Sequence, residues 1–176
     1  YDKGPIIGKA SFDQSNLPGG KESPTAFLYS TEAAEVEVDR ETGIVKVLKL
    51  VGAFDVGKAI NPMGCEQQIE GGLVMGMGYA LSEELVLDSG RALNATFVDY
   101  KIPKAPDIPQ IVPIIVETSP HRDGPFGAKG LGEQPINPTA ATIGNAIYDA
   151  VGVRIKELPI TPEKILKALK ENFTST

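Results

Sequence analysis

The feature that most constrains the fold is a strict alternation of apolar and acidic residues near the start of the chain. From Ala34 to Asp39 the sequence reads Ala-Glu-Val-Glu-Val-Asp, and a period of two gives a strand one buried and one solvent-exposed face. A turn ending at Gly43 follows, and then a second, more apolar run. Two such runs around a short turn predict an antiparallel hairpin over residues 33–55.

Three helices are predicted by residue pairs that begin helices well. Asn-Pro at 61–62 predicts a helix over 62–84, because asparagine caps a helix N-terminus and proline suits its first position. Asn-Pro at 137–138 predicts a second helix that runs to about residue 150. Thr-Pro at 161–162 predicts a final amphipathic helix.

The first predicted helix contains four glycines, Gly71, Gly72, Gly76 and Gly78. Each costs a helix about 1 kcal/mol relative to alanine, so the small surface should serve a close approach of another backbone or of a ligand. We expect this glycine-rich face to be exposed in the isolated chain and covered by a partner domain.

The remaining segments indicate an α+β fold. A turn at 88–91, a strand over 111–117 and a last strand over 153–158 are predicted from turn residues and apolar runs. Strands and helices mixed without regular βαβ alternation predict a two-layer sandwich of a mixed or antiparallel sheet and helices. We expect residues 1–176 to form one domain, itself a fragment of a longer subunit, with a loop-rich lead-in over 1–30.

Composition excludes several classes of protein. A net charge of −6 with scattered lysines argues against nonspecific nucleic-acid binding, which requires clustered Lys and Arg. One cysteine and one histidine cannot build a disulfide framework or a structural zinc site. No signal peptide or membrane span is recognisable, so we expect a cytoplasmic chain.

The glycine-rich run GAKGLGEQP at 127–135 is the most informative candidate site. Its glycines allow close backbone approach to a ligand, and Glu133 ends the loop just before a predicted helix. A carboxylate in such a setting can be tuned as an acid–base group, or it can be a simple helix-terminal charge. Cys65, near a helix start, is either a thiol of lowered pKa or an ordinary half-buried one.

Six motifs in order along the chain carry a family resemblance: VEVDRETG at 36–43, DVGKAINP at 55–62, QIEGG at 68–72, DYKIP at 99–103, PFGAKGLGE at 125–133 and NAIYDA at 145–150. Together they resemble the xanthine oxidase, aldehyde oxidase and carbon monoxide dehydrogenase family of molybdenum hydroxylases. The resemblance extends over about residues 33 to 169 and points to the C-terminal part of the molybdenum-pterin subunit.

This resemblance implies an activity and two site residues. The family hydroxylates electron-poor carbons of aldehydes and N-heterocycles, with water as the oxygen source. Glu133 matches the family's active-site glutamate, a base, and Gln68 matches a glutamine that contacts the pterin in some members. No residue is assigned as a direct metal ligand. Two positions depart from the family pattern: Met75 stands where many members have glutamine, and Gln134 where proline often follows the glutamate.

The resemblance also implies cofactors and partners. The molybdenum-molybdopterin would be shared with an upstream part of the subunit, and [2Fe-2S] clusters and FAD would lie on partner domains or subunits. We therefore expect the fragment to be inactive alone. The alternative is a non-catalytic binding or assembly module. It would differ by burying Glu133 in an ion pair, whereas an enzyme would keep that carboxylate facing a cofactor-sized space.

Overall fold

A computed structural model describes residues 4, 7–11 and 26–174 of the chain, so most of the predicted lead-in over 1–30 lies outside the described residues. The regular elements in chain order are β1 Ser30–Val38, β2 Val45–Asp55, α1 Pro62–Leu81, β3 Leu87–Asp88, β4 Arg91–Ala92, β5 Gln110–Val116, α2 Thr139–Val151 and α3 Pro162–Thr174.

A mixed three-stranded sheet in the order β1-β2-β5 forms one layer. β1 and β2 are antiparallel with Val38 opposite Val45, which confirms the predicted hairpin, and a bulge lies between Glu35 and Val36. β5 confirms the strand predicted over 111–117, and it pairs parallel with β2. Because β2 and β5 are parallel, their carboxyl ends meet at one edge of the sheet, with Asp55 opposite Val116.

Helices α1 and α2 form the second layer, and the domain is the predicted α+β sandwich. Their apolar sides meet the inward side of β2 in a core whose fully buried members include Leu50, Phe54, Ile69, Leu73, Ile143 and Ile147. Burying a side chain of this size stabilises the fold by about 1.5–3 kcal/mol relative to leaving it exposed. Among the described residues, no helix has the length and apolar character required to cross a bilayer.

The glycines of α1 allow close packing within the chain. A Cβ added at Gly72 would lie 2.5 Å from the Cβ of Pro135, and one at Gly76 would lie 2.5 Å from the Cβ of Thr139. The close approach of another backbone is confirmed. The expectation that this face is exposed is wrong for Gly72, Gly76 and Gly78, which are buried in the domain's own core.

Three sequence-based predictions require correction, one strand and two helix ends. The strand predicted over 153–158 is absent, because its alternation reflects Val153 and Ile155 packing on the core without a neighbouring strand. α1 ends at Leu81 and not at residue 84. Just after Leu81, the N–H groups of residues 82 and 83 both donate to the Gly78 carbonyl and end the helix. α2 begins at residue 139, so Pro138 occupies the cap position and Asn137 does not cap the helix.

Candidate functional site

Three segments converge at the carboxyl ends of β2 and β5: residues 56–61, residues 117–133 and the first turns of α1. The Val56 N–H donates to the Val116 carbonyl at 3.0 Å, and the Lys129 N–H donates to the Val56 carbonyl at 2.9 Å. The Asn61 side chain caps α1 by accepting from the Gly64 N–H at 3.2 Å, as predicted. The parallel strand pair therefore brings together loops that are far apart in sequence.

A buried ion pair fixes the start of the glycine-rich loop. Lys129 Nζ lies 2.5 Å from Asp55 Oδ2, and the two side chains are only 8% and 9% exposed. Burial alone would raise the pKa of Asp55, but the hydrogen bond from Lys129, the Gly57 N–H and the Lys129 charge together bring it below its ordinary value. The pair therefore ties the glycine-rich loop to the carboxyl end of β2. Sequence reasoning missed it, although an aspartate at the end of an apolar strand was a usable signal.

Two glycines with positive φ permit the loops to cross beside this pair. Gly57 has φ +64, and a Cβ there would lie 2.4 Å from the carbonyl oxygen of Gly127, which itself has φ +86. Left-handed backbone of this kind is accessible to glycine without the steric cost that other residues meet. Residue 57 therefore has both a conformational and a steric requirement for glycine.

Gln68 connects α1 to the end of the same loop. Its Nε2 donates to the Gly132 carbonyl oxygen at 2.6 Å. Both residues line a cleft of about 300 Å³ together with Asn61, Cys65 and Leu131. The two residues predicted as site residues are thus brought together, since Gln68 holds the peptide group that precedes Glu133.

Glu133 is fixed through its backbone while its carboxylate is free. It stands before a short 3-10 turn, Gln134–Ile136, and makes no side-chain capping hydrogen bond there. Its exposed carboxylate has no hydrogen-bond or ion-pair partner among the described residues. The next residue, Gln134, is buried and donates from Nε2 to the Tyr29 carbonyl at 3.0 Å. The residues on both sides of Glu133 are therefore anchored, which does not fit a helix-capping charge.

A second carboxyl, Glu32, was missed because it lies in the sequence among acidic residues of β1. It shares the inward face of the strand with Ala34 and Val36, and both of its oxygens are shielded from solvent without a well-formed hydrogen bond. Burial raises the pKa of Glu32 to about 7, against a smaller lowering by the neighbouring Thr139 hydroxyl. The buried Oε1 of Gln134 is also unpartnered.

Cys65 and the single histidine of the chain, His121, have structural explanations. Cys65 is half-buried, and its pKa is raised, first by burial and then by the carboxylates of Glu117 and Glu66. This overturns the alternative of an activated thiol. His121 Nδ1 accepts from the Asp123 N–H at 3.1 Å and so braces a loop turn.

Comparison with known proteins identifies the family. Residues 1–109 match the family model described as the molybdopterin cofactor-binding domain. This match includes Gln68 and ends before the loop that carries Glu133.

Longer similarities extend through that loop. The chain is 40% identical over 145 residues to the xanthine dehydrogenase molybdenum-binding subunit of Escherichia coli O157:H7, covering 81% of the chain and 19% of that protein. It is 37% identical over 142 residues to the 6-hydroxypseudooxynicotine dehydrogenase complex subunit gamma of Paenarthrobacter nicotinovorans, covering 79% of the chain and 18% of that protein. The solved aldehyde oxidoreductase from Desulfovibrio gigas superposes with a TM-score of 0.76 at 41% identity, over 83% of the chain and 16% of that structure. The chain therefore spans less than a quarter of the length of each.

Proposed function

The chain belongs to the molybdopterin cofactor-binding domain family of the molybdenum hydroxylases, and we propose that it forms one wall of the molybdenum-pterin site in a longer subunit, with Glu133 as the catalytic base. The observation that carries this proposal is the contrast at Glu133. Its neighbours in sequence are anchored by Gln68 and by the Tyr29 carbonyl, whereas its carboxylate makes no hydrogen bond or ion pair within the described residues. An assembly module that buried this carboxylate in an ion pair would look different.

The proposed reaction is the oxidative hydroxylation of a carbon in an aldehyde or an N-heterocycle, with water as the oxygen source. Relatives named aldehyde oxidoreductase and xanthine dehydrogenase support this substrate class. When bound, the molybdenum-pterin group supplies the two-electron oxidation. Glu133 accepts a proton on its carboxylate, which has no ion-pair partner among the described residues and is therefore available for that task.

The residues present fit a planar cofactor that approaches this edge of the domain. Gly130 and Gly132 have no positive φ, and a Cβ at either of them would meet no atom within 4 Å. Nothing described in this chain requires glycine at these two positions, so they leave surface open to another group. Gln68 would meet the pterin through Oε1, because its Nε2 is bound to the Gly132 carbonyl. The upstream part of the subunit would cover the other side of the cofactor, so we expect the isolated chain to bind no molybdenum.

Electrons would leave through [2Fe-2S] clusters and FAD on partner domains or subunits. The chain holds a single cysteine, Cys65, and a Cys₄ cluster cannot be built from one thiolate. The relatives named as a molybdenum-binding subunit and as subunit gamma of a complex support a multi-subunit arrangement.

Glu133→Gln in the complete enzyme tests the proposal. Glutamine keeps the size of the side chain but takes no proton at neutral pH, so turnover should fall by about 10²–10⁴-fold while molybdenum content stays at the wild-type level. Glu70→Gln is the matched control, because it neutralises an exposed carboxylate that lies elsewhere, on α1, and it should leave turnover unchanged. A Glu133→Gln enzyme with most of the wild-type rate per bound molybdenum would refute the assignment of the base.

A further inference from the structure

We propose that Gln68 is a positioning residue for Glu133, acting through its hydrogen bond to the Gly132 carbonyl. The inference rests on the proposed function, since it concerns the same base. It assigns Gln68 a role within this chain that is separate from a contact with the cofactor.

The donor side of this bond is rigid. Gln68 lies in the second turn of α1, whose start is capped by Asn61. The next residue, Ile69, is fully buried, and so is Leu73 one turn later. Because Ile69 and Leu73 fix this part of α1 in the core, the Gln68 side chain can hold the neighbouring loop at a defined place.

The acceptor side is held less firmly without this bond. Residues 130–133 lie between two anchors, the Lys129–Asp55 pair and the Gln134 side chain on the Tyr29 carbonyl, and between them the Leu131 side chain packs against the core. Within that interval, Gly130 and Gly132 have open space where a side chain would be. The bond from Gln68 is the one side-chain hydrogen bond that residues 130–133 receive among the described residues. It therefore sets the place of the peptide group from which Glu133 projects.

Glutamine is suited to this position because its amide has both a donor and an acceptor. A side chain of similar size without the N–H would release the Gly132 carbonyl to solvent and free the loop between its outer anchors. A misplacement of about 1 Å at a reacting group can cost about 10²-fold in rate. The base would still be present, but it would no longer be held in one place.

The test uses the complete enzyme with Gln68→Leu, and with Gln67→Leu as the control, since Gln67 is exposed and lines a different cleft. We expect Gln68→Leu to lower kcat per bound molybdenum by about 10–10²-fold with KM near wild type, whatever molybdenum is lost with the pterin contact. The amides of Ile136 and Asn137 donate to the carbonyls of Glu133 and Gln134, and their hydrogen exchange should become faster in Gln68→Leu and not in Gln67→Leu.

Two outcomes would overturn the inference while leaving the proposed function intact. A loss of molybdenum in proportion to the loss of rate would make Gln68 a cofactor contact alone. An unchanged kcat in Gln68→Leu, beside an inactive Glu133→Gln enzyme, would show that the bond does not position the base. An active Glu133→Gln enzyme would instead refute the proposed function itself, so the two failures are distinguishable.

Discussion

Replacing Lys129 by methionine would remove one partner of the buried pair and leave the Asp55 carboxylate with its charge uncompensated. Methionine keeps the length and the apolar stem of lysine, so the packing of the stem changes little. Both side chains are less than a tenth exposed, and breaking such a pair from one side costs about 3–5 kcal/mol. With a urea m-value of about 2 kcal/mol/M, the unfolding midpoint should fall by about 2 M.

Lys58 provides a control with the same chemistry in a different environment. Its Nζ lies 2.8 Å from Glu117 Oε1, but the two side chains are 56% and 39% exposed. Exposed pairs contribute about 0–1 kcal/mol, so Lys58→Met should shift the midpoint by less than about 0.5 M. Urea unfolding of the two variants, followed by circular dichroism, measures the difference directly. Equal midpoints for Lys129→Met and Lys58→Met would refute the argument that burial decides the value of the pair.

The pH dependence adds an independent check on the same pair. The pKa of Asp55 is lowered in the folded state from its ordinary value of 3.8. Its stabilisation is therefore fully present above that ordinary value and is lost as the pH falls through the folded-state pKa. The stability gap between the wild type and Lys129→Met should narrow in acid. A gap that stayed constant down to pH 2 would mean that the lost stability is not electrostatic.

Two further predictions concern stability. The pKa of Glu32 is raised from 4.5 to about 7 in the folded state, so the stability that its neutral form contributes is fully present below pH 4.5 and is lost as the pH rises through 7. Glu32→Gln should therefore be more stable than the wild type at pH 8 and not at pH 4.5. A stability difference that did not depend on pH in denaturant unfolding would contradict this. Gly57→Ala should lower the free energy of unfolding by more than the roughly 1–2 kcal/mol that a left-handed backbone costs alanine, because its Cβ also meets the Gly127 carbonyl. Gly71→Ala, in open space on α1, should instead raise the free energy of unfolding by about 1 kcal/mol. Thermal melts in which the two variants changed stability in the same direction would count against the steric argument.

The elements of this domain could be predicted where local pattern and tertiary role coincide. The alternation after Ala34 is set by one buried and one exposed face, and the cap at Asn61 is a contact within four residues, so both were accessible to local reasoning. The segment 153–158 shows the limit. Val153 and Ile155 are turned toward the core, and this produces the alternation of a strand in a segment that has no strand partner.

The bond between Gln68 and Gly132, the residue before Glu133, could not be predicted from local pattern. The two bonded residues are 64 positions apart, and they meet because β5 pairs parallel to β2 and so brings residues 117–133 to the edge at which β2 leads into α1. The apolar run of β5 predicts a strand but carries no information on its direction or its partner. The family resemblance named Gln68 and Glu133 without giving their relation, and the hydrogen bond between Gln68 and the Gly132 carbonyl supplies it.

Six of the described glycines fall into two groups, according to whether or not the fold of this chain requires a glycine at that position. Gly57, Gly72 and Gly76 are required by the chain itself, because a Cβ at any of them would come within about 2.5 Å of another residue. The second group is required by nothing described in the chain and consists of Gly71, Gly130 and Gly132. In the sequence all six look alike, since each is a small residue in a glycine-rich segment. Within the second group, Gly130 and Gly132 belong to the loop that Gln68 joins to α1, which is the surface that we propose for the cofactor.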